Sequence, residues 1–149
     1  NGTRASEGLL NAHVAAEYGV PVVLVTGDDL TCVDARGYAP GARTVAVKDH
    51  VSRYAAVCRT PARTAADIRA AAAGAAALAV RHTPVTGGSW TVELEFDAAH
   101  LAAAATVVPG VAPSGERRVA YTSGTMYEGI RTFKAVTTIV SAAVEEQYG

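Results

Sequence analysis

The chain has 149 residues and a mass of 15.2 kDa, enough for one domain of ordinary size with a substantial core. Half of its residues are hydrophobic, 18% are charged, and 13 basic side chains stand against 14 acidic ones. This balance excludes intrinsic disorder and argues against a charge-driven nucleic-acid binder. No apolar run approaches the roughly 20 residues that span a bilayer, so we expect neither a nucleic-acid nor a membrane partner.

The two cysteines, Cys32 and Cys58, are single and far apart in sequence. A disulfide framework or a cysteine-based zinc knuckle is therefore not expected, and the sequence predicts two reduced thiols in a cytoplasmic protein. The chain opens with Asn1-Gly2 and not with Met. We expect that a segment upstream of this point has been removed.

The first part of the chain predicts a helix followed by a strand. Ser6 is a helix N-cap, apolar residues follow at helical spacing, and Gly19 is a stop signal. Residues 21–25 form a continuous apolar run, typical of a strand covered on both faces. This order indicates α/β layering, and it puts Asp28 and Asp29 at the carboxyl end of a strand, where open α/β sheets bind ligands.

The next elements are a short strand and a long helix. A strand is predicted at residues 44–48, and residues 54–57 add further extended or helical structure. Thr60 and Pro61 supply an N-cap and a first-turn proline for an alanine-rich helix that runs to about residue 80.

The Gly87-Gly88 pair breaks the chain before a second group of elements. Strict alternation over residues 90–96 predicts a half-buried strand, and a short helix at 98–106 follows it. A strand is predicted at 117–122, and Thr125 with Glu128 forms a capping box for a closing helix that runs to about residue 147. The predicted fold class is α/β, with a layered sheet and helices over residues 1–82 and a smaller α+β lobe over residues 83–149.

Glu7 is the first candidate for chemistry. It lies in the opening turn of a helix, where unpaired backbone N–H groups and the positive end of the dipole favour a carboxylate, a suitable ligand for a hard or borderline metal. Asn11 follows one turn later on the same face, so the two could point an acceptor and an amide towards one pocket. Ordinary helix capping accounts for Glu7 equally well.

Other polar groups give weaker signals. Asp28 and Asp29 could hold a cation or a substrate amine, or they could cap the next turn. The start of the closing helix at residues 123–125 could accept an anion, although the capping box explains it. Four histidines share no spacing that is typical of metal ligands: His13, His50, His82 and His100.

Four stretches, taken together, resemble the C-terminal half of the DppA-type zinc-dependent D-aminopeptidases. They are residues 6–12, 18–29, 45–48 and 52–56, and they match in order and in spacing. The opening Asn1-Gly2 also resembles a turn that stands just ahead of the metal-binding glutamate in that family. The resemblance is specific over the first 60 residues, whereas the last 65 residues are only compatible with the end of the family's sequence.

The resemblance implies a hydrolase with two zinc ions. In that family the zinc ligands are an Asp-x-Glu segment, two histidines and one glutamate, and only the glutamate has a match here, at Glu7. The remaining ligands and a catalytic histidine belong to the half that precedes Asn1, so no catalytic residue is expected in this chain. Asn11, Asp28 and Asp29 are the candidates for substrate binding. The implied reaction is cleavage of a short peptide or amide, with metal ions that activate water and polarise the carbonyl.

The resemblance also implies partners: a ring-like homo-oligomer and an absent N-terminal half that completes the α/β layers. We favour a precursor cut at the Asn-Gly turn, because exposed turns are readily nicked. A separate companion subunit is the second explanation, and a metal-free relic that serves as a scaffold is the third. Other hypotheses for function are an amidohydrolase that tailors a secondary metabolite and a non-catalytic α/β assembly or binding module.

Overall fold

The computed structural model describes residues 1–80, 84–85 and 88–148, the last four by their backbone alone. Within these ranges there are five α-helices, one short 3-10 turn and two three-stranded sheets. The chain divides into two compact units, an α/β unit of Ala5–Val85 and an α+β unit of Asn1–Arg4 with Thr86–Gly149. The predicted lobe boundary between residues 82 and 83, and the predicted break at Gly87, lie outside the described residues.

Helix α1 (Glu7–Glu17) begins and ends where the sequence predicts. The Ser6 hydroxyl oxygen accepts a 3.3 Å hydrogen bond from the Leu9 amide and so caps the helix. Gly19 has a φ of 66°, a left-handed conformation that side chains with a Cβ rarely adopt. These two residues confirm the predicted cap and stop.

Strand β1 (Leu24–Asp28) begins three residues later than the predicted strand at 21–25, because its partner sets its start. The parallel strand β2 (Arg43–Ser52) pairs Leu24 with Arg43, and the register continues from there. The sheet order is β1-β2-β3, with β3 at Ala55–Cys58, so β1 lies at an edge. None of the five residues of β1 is fully buried. The expectation of a strand covered on both faces is therefore wrong for the residues that the structure describes.

Helix α2 (Asp29–Tyr38) follows β1 directly, where the sequence predicted only a turn. Asp28 is its N-cap: its Oδ1 atom accepts a 2.7 Å hydrogen bond from the Thr31 amide. Cys32 and Ala35 are buried one turn apart and hold the helix on the sheet.

Strand β3 (Ala55–Cys58) pairs antiparallel with β2, and its four residues are exposed. Helix α3 (Pro61–Ala75) begins at the predicted Thr60 cap, with the proline in its first turn. It continues into a 3-10 turn (Ala76–Leu78), close to the predicted end near residue 80. The α/β unit therefore has a mixed sheet with helices packed on it.

The α+β unit confirms the predicted alternation of residues 90–96. In chain order its elements are β4 (Trp90–Glu95), α4 (Ala99–Ala105), β5 (Ala112–Gly115), β6 (Arg118–Ser123) and α5 (Met126–Tyr148). The sheet has the order β4-β6-β5 and is antiparallel throughout. The short strand β5 was not predicted.

The core of the α+β unit lies between this sheet and its two helices. Val119 on β6 and Val136 on α5 are both 0% exposed. The N-cap bond of the predicted capping box is seen at the start of α5, where the Glu128 amide donates a 3.1 Å hydrogen bond to Oγ1 of Thr125. Glu93 and Glu95 point to solvent, and both pair with Arg118.

Asn1 belongs to the α+β unit, whereas the sequence grouped it with residues 2–82. Its side-chain Oδ1 accepts a 2.8 Å hydrogen bond from the Thr91 amide, and its backbone nitrogen donates a 2.7 Å hydrogen bond to the Thr91 carbonyl. These two bonds tie the opening residue to strand β4. Among the described residues no helix is both long and apolar enough to cross a bilayer.

Candidate functional site

Glu7 is the first residue of α1, and its side chain is exposed. Within the described part of the chain, no hydrogen bond or ion pair engages the Glu7 carboxylate. The amides of the opening turn and the positive end of the helix dipole make this a favourable place for a negative charge. Its carboxylate oxygens are thus available to a ligand from outside the chain.

Ser6, the residue before Glu7, joins α1 to α2. The Ser6 hydroxyl donates a 2.5 Å hydrogen bond to Oδ2 of Asp34, while its oxygen accepts from the Leu9 amide. A hydrogen bond to a carboxylate is stronger than one between neutral groups. The start of α1 is therefore held in place by the second helix of the α/β unit.

Gly8, the residue after Glu7, is held by close packing. A methyl group at Gly8 would overlap the Tyr38 hydroxyl and lie 2.7 Å from Tyr38 Cζ, so the ring rests directly on the helix backbone. Burial, and next the negative charge of Asp34, raise the pKa of Tyr38. Sequence reasoning missed Asp34 and Tyr38, which lie four residues apart on the same face of α2.

Asn11 lies one helical turn after Glu7 and is also exposed. The structure therefore keeps these two polar side chains on one face of α1, as the spacing indicated. On the neighbouring face, Ala12 and Ala16 contribute to an apolar cleft of about 490 Å³ in the α/β unit. The rest of its lining includes Val20, Val22, Tyr38, Leu78 and Val85.

Asp28 and Asp29 each accept a hydrogen bond from a backbone amide. Asp28 caps α2, and this bond from Thr31, more than the nearby charges of Lys48 and His50, lowers the pKa of Asp28. Asp29 Oδ1 accepts a 2.7 Å hydrogen bond from the His50 amide, which links the start of α2 to strand β2. Both carboxylates thus lie at the carboxyl ends of β1 and β2.

The candidate residues fall into two pairs. Glu7 with Asn11 marks the exposed face of α1, and Asp28 with Asp29 marks the sheet edge; in the part of the chain that the structure describes, no hydrogen bond or ion pair joins the two pairs. No three His, Cys, Asp or Glu side chains among the described residues form a group that could hold a metal ion. His82 lies outside those residues.

Comparison with known proteins gives a consistent result. A family model described as D-aminopeptidase matches residues 1–135. A D-aminopeptidase of Bacillus subtilis is 46% identical over 54 residues, which are 36% of this chain and 20% of that protein. A solved structure, the Zn-dependent D-aminopeptidase DppA from Bacillus subtilis, described as a self-compartmentalizing protease, matches with a TM-score of 0.82 and 29% identity.

The structural match covers 95% of this chain but only 52% of the DppA chain. The chain therefore spans about half the length of that relative. The match confirms the predicted fold class, a mixed α/β architecture.

Proposed function

Because the chain belongs to the D-aminopeptidase family, we propose that it is part of a zinc-dependent hydrolase that releases residues from short peptides or amides. In this proposal Glu7 is a zinc ligand, and a companion polypeptide supplies the other ligands and the catalytic residues. Asn11, Asp28 and Asp29 shape the substrate pocket.

The observation that carries the proposal is the state of Glu7. Its carboxylate lies in the first turn of a well-capped helix, in the matched region, with both sequence neighbours held and its own oxygens unengaged by the described residues. The N-cap hydrogen bond of α1 is supplied by Ser6, so the Glu7 carboxylate adds only its negative charge to this end of the helix and keeps its oxygens for a ligand. A carboxylate oxygen is also a suitable donor for zinc.

Zinc in such a site supplies Lewis-acid chemistry, since it activates water and polarises the scissile carbonyl. The residues of this chain bind the metal and the substrate. Glu7 contributes negative charge and an oxygen donor, and Asn11, one turn away, offers an amide that donates to a substrate carbonyl or accepts from its amino group. The outer lone pairs of Asp28 and Asp29 can accept hydrogen bonds from a substrate ammonium group.

Three features of the α/β unit support a companion polypeptide. Helix α1, which lies wholly within the described residues, has no fully buried side chain, and Tyr18 near its end is 58% exposed. Strand β1 has one edge without a strand partner among the described residues, and such an edge invites pairing with another chain. The apolar cleft beside α1 adds a surface on which a second polypeptide can pack.

We further propose that the complete particle is a ring-like homo-oligomer that encloses its active sites. The support for this is the self-compartmentalizing description of the DppA relative, to which this chain is 29% identical. The exposed hairpin of β2 and β3, with Tyr54 at its tip 89% exposed, is available for contacts within such a particle.

The test is to isolate the native assembly through a tag on this chain, then measure its polypeptide content, its zinc content and its activity. We expect an N-terminal companion and a fixed ratio of bound zinc to copies of this chain. We also expect hydrolysis of D-aminoacyl p-nitroanilides in preference to the L-isomers. Removal of zinc by a chelator should abolish hydrolysis, and zinc should restore it. A lone chain without metal and without hydrolase activity would contradict the proposal and favour an assembly module.

A further inference from the structure

The first turn of a helix is its least constrained part, because its four leading amides have no partner within the helix and end turns open readily. A metal ligand in that position must be held by contacts from elsewhere. Glu7 occupies this position in α1.

Two side chains of α2 hold the residues on either side of Glu7. Asp34 accepts the 2.5 Å hydrogen bond from the Ser6 hydroxyl. The phenol of Tyr38 lies against Gly8: its hydroxyl oxygen, and then Cζ at 2.7 Å, are nearest to the place that a Cβ would occupy. Since Asp34 and Tyr38 are four residues apart, they form one face of α2 directed at the opening turn of α1.

These contacts leave the Glu7 carboxylate itself without a partner among the described residues. The first turn is thus fixed at Ser6 and at Gly8, while the side chain between them is free to bind. A ligand whose backbone is already fixed loses less backbone conformational entropy when it binds, so it binds more tightly. Groups that orient a metal ligand typically change metal affinity by about 10–100-fold when they are removed.

We propose that Asp34 and Tyr38 are positioning residues for the zinc ligand Glu7, an inference that rests on the proposed function. Asp34 acts through the Ser6 hydroxyl and needs only an acceptor oxygen. Tyr38 acts through the packing of its phenol on Gly8, where the hydroxyl oxygen and Cζ make the nearest approach. Neither residue touches substrate or metal in this account.

The test measures zinc affinity of the native assembly by competition with a chelator, together with thermal unfolding. We expect Asp34→Ala and Tyr38→Ala each to weaken zinc binding by about 10–100-fold. Asp34→Asn keeps an acceptor for Ser6, so it should stay within about threefold of the wild type. Tyr38→Phe keeps the ring but loses the hydroxyl oxygen that lies nearest to Gly8, so it should lose less zinc affinity than Tyr38→Ala. Asp67→Ala, which removes an acidic group paired with Arg63 on α3, is the control and should leave zinc affinity unchanged.

Ser6→Gly is a second way to break the Asp34 contact if Asp34→Ala does not fold. Glycine retains most of the N-cap preference but has no hydroxyl to donate, so zinc affinity should fall as it does in Asp34→Ala. Equal zinc affinity in Asp34→Ala, Ser6→Gly and the wild type, with loss of zinc in Glu7→Gln, would overturn the positioning role and leave the proposed function standing. Retention of zinc by Glu7→Gln would instead overturn the proposed function.

Discussion

The Ser6 hydroxyl donates a 2.5 Å hydrogen bond to Oδ2 of Asp34 and at the same time accepts a hydrogen bond from the Leu9 amide. One small side chain therefore caps α1 and joins it to α2. The cap is a local property of the sequence, whereas the link to Asp34 spans 28 residues.

Replacement of Ser6 by Ala should lower the free energy of unfolding by about 1–2 kcal/mol. The change removes both the N-cap of α1 and the hydrogen bond that the Ser6 hydroxyl donates to Asp34. Urea denaturation at pH 7 measures the change. Ser6→Thr keeps the hydroxyl and should lose no more than about 0.5 kcal/mol. An Ala variant as stable as the Thr variant would show that the hydroxyl contributes nothing.

The two thiols should react at very different rates. Cys32 is 7% exposed, and burial raises its pKa, so at neutral pH little reactive thiolate forms there. Cys58 is exposed at the end of β3. Ellman's reagent should therefore label one thiol rapidly in the native chain and two after denaturation, and Cys58→Ser should abolish the rapid phase. Rapid labelling that survives in Cys58→Ser would contradict the burial of Cys32.

Tyr121 should make the stability of the chain depend on alkaline pH. Burial raises the pKa of Tyr121 to about 12 from an ordinary value of 10.0, and its hydroxyl donates a 2.8 Å hydrogen bond to the Gly129 carbonyl. The folded state thus keeps a proton that the unfolded state releases above pH 10. The stabilisation is complete below pH 10 and is lost as pH rises towards 12.

Urea midpoints measured between pH 8 and pH 11 check this prediction. Tyr121→Phe should cost about 1 kcal/mol near pH 8, through loss of the hydrogen bond, and should flatten the decline above pH 10. Tyr54→Phe, which removes a hydroxyl that is exposed to solvent, is the matched control and should preserve the decline. If the decline is as steep in Tyr121→Phe as in the control, another group causes it.

Local signals were enough to predict the elements that have capping residues of their own or a clear periodicity of hydrophobic residues. The Ser6 cap and the Gly19 stop fixed the limits of α1, and alternation over residues 90–96 predicted β4. Where the limits of an element depend on a partner that is distant in sequence, the predicted limits differ from the observed ones. Strand β1 begins at Leu24 because Arg43 lies opposite it, and no local pattern near Leu24 carries that information.

Helix α2 was missed because adjacent aspartates after a strand are also typical of a turn. The buried positions Cys32, Ala35 and Ala39 have helical spacing and were the available signal. Without α2, the contacts of Asp34 and Tyr38 with the opening turn of α1 could not be foreseen. The sequence and its family resemblance thus singled out Glu7, and only the structure identified the residues that hold its neighbours.

The central claim is that Glu7 is a zinc ligand, and the zinc content of the native assembly carrying Glu7→Gln tests it most directly. Glu17→Gln, which alters the other end of the same helix, is the matched control. We predict that Glu7→Gln loses zinc and hydrolase activity together with a stability change of about 1 kcal/mol or less, while Glu17→Gln retains both zinc and activity. A Glu7→Gln assembly that binds as much zinc as the control would contradict the account.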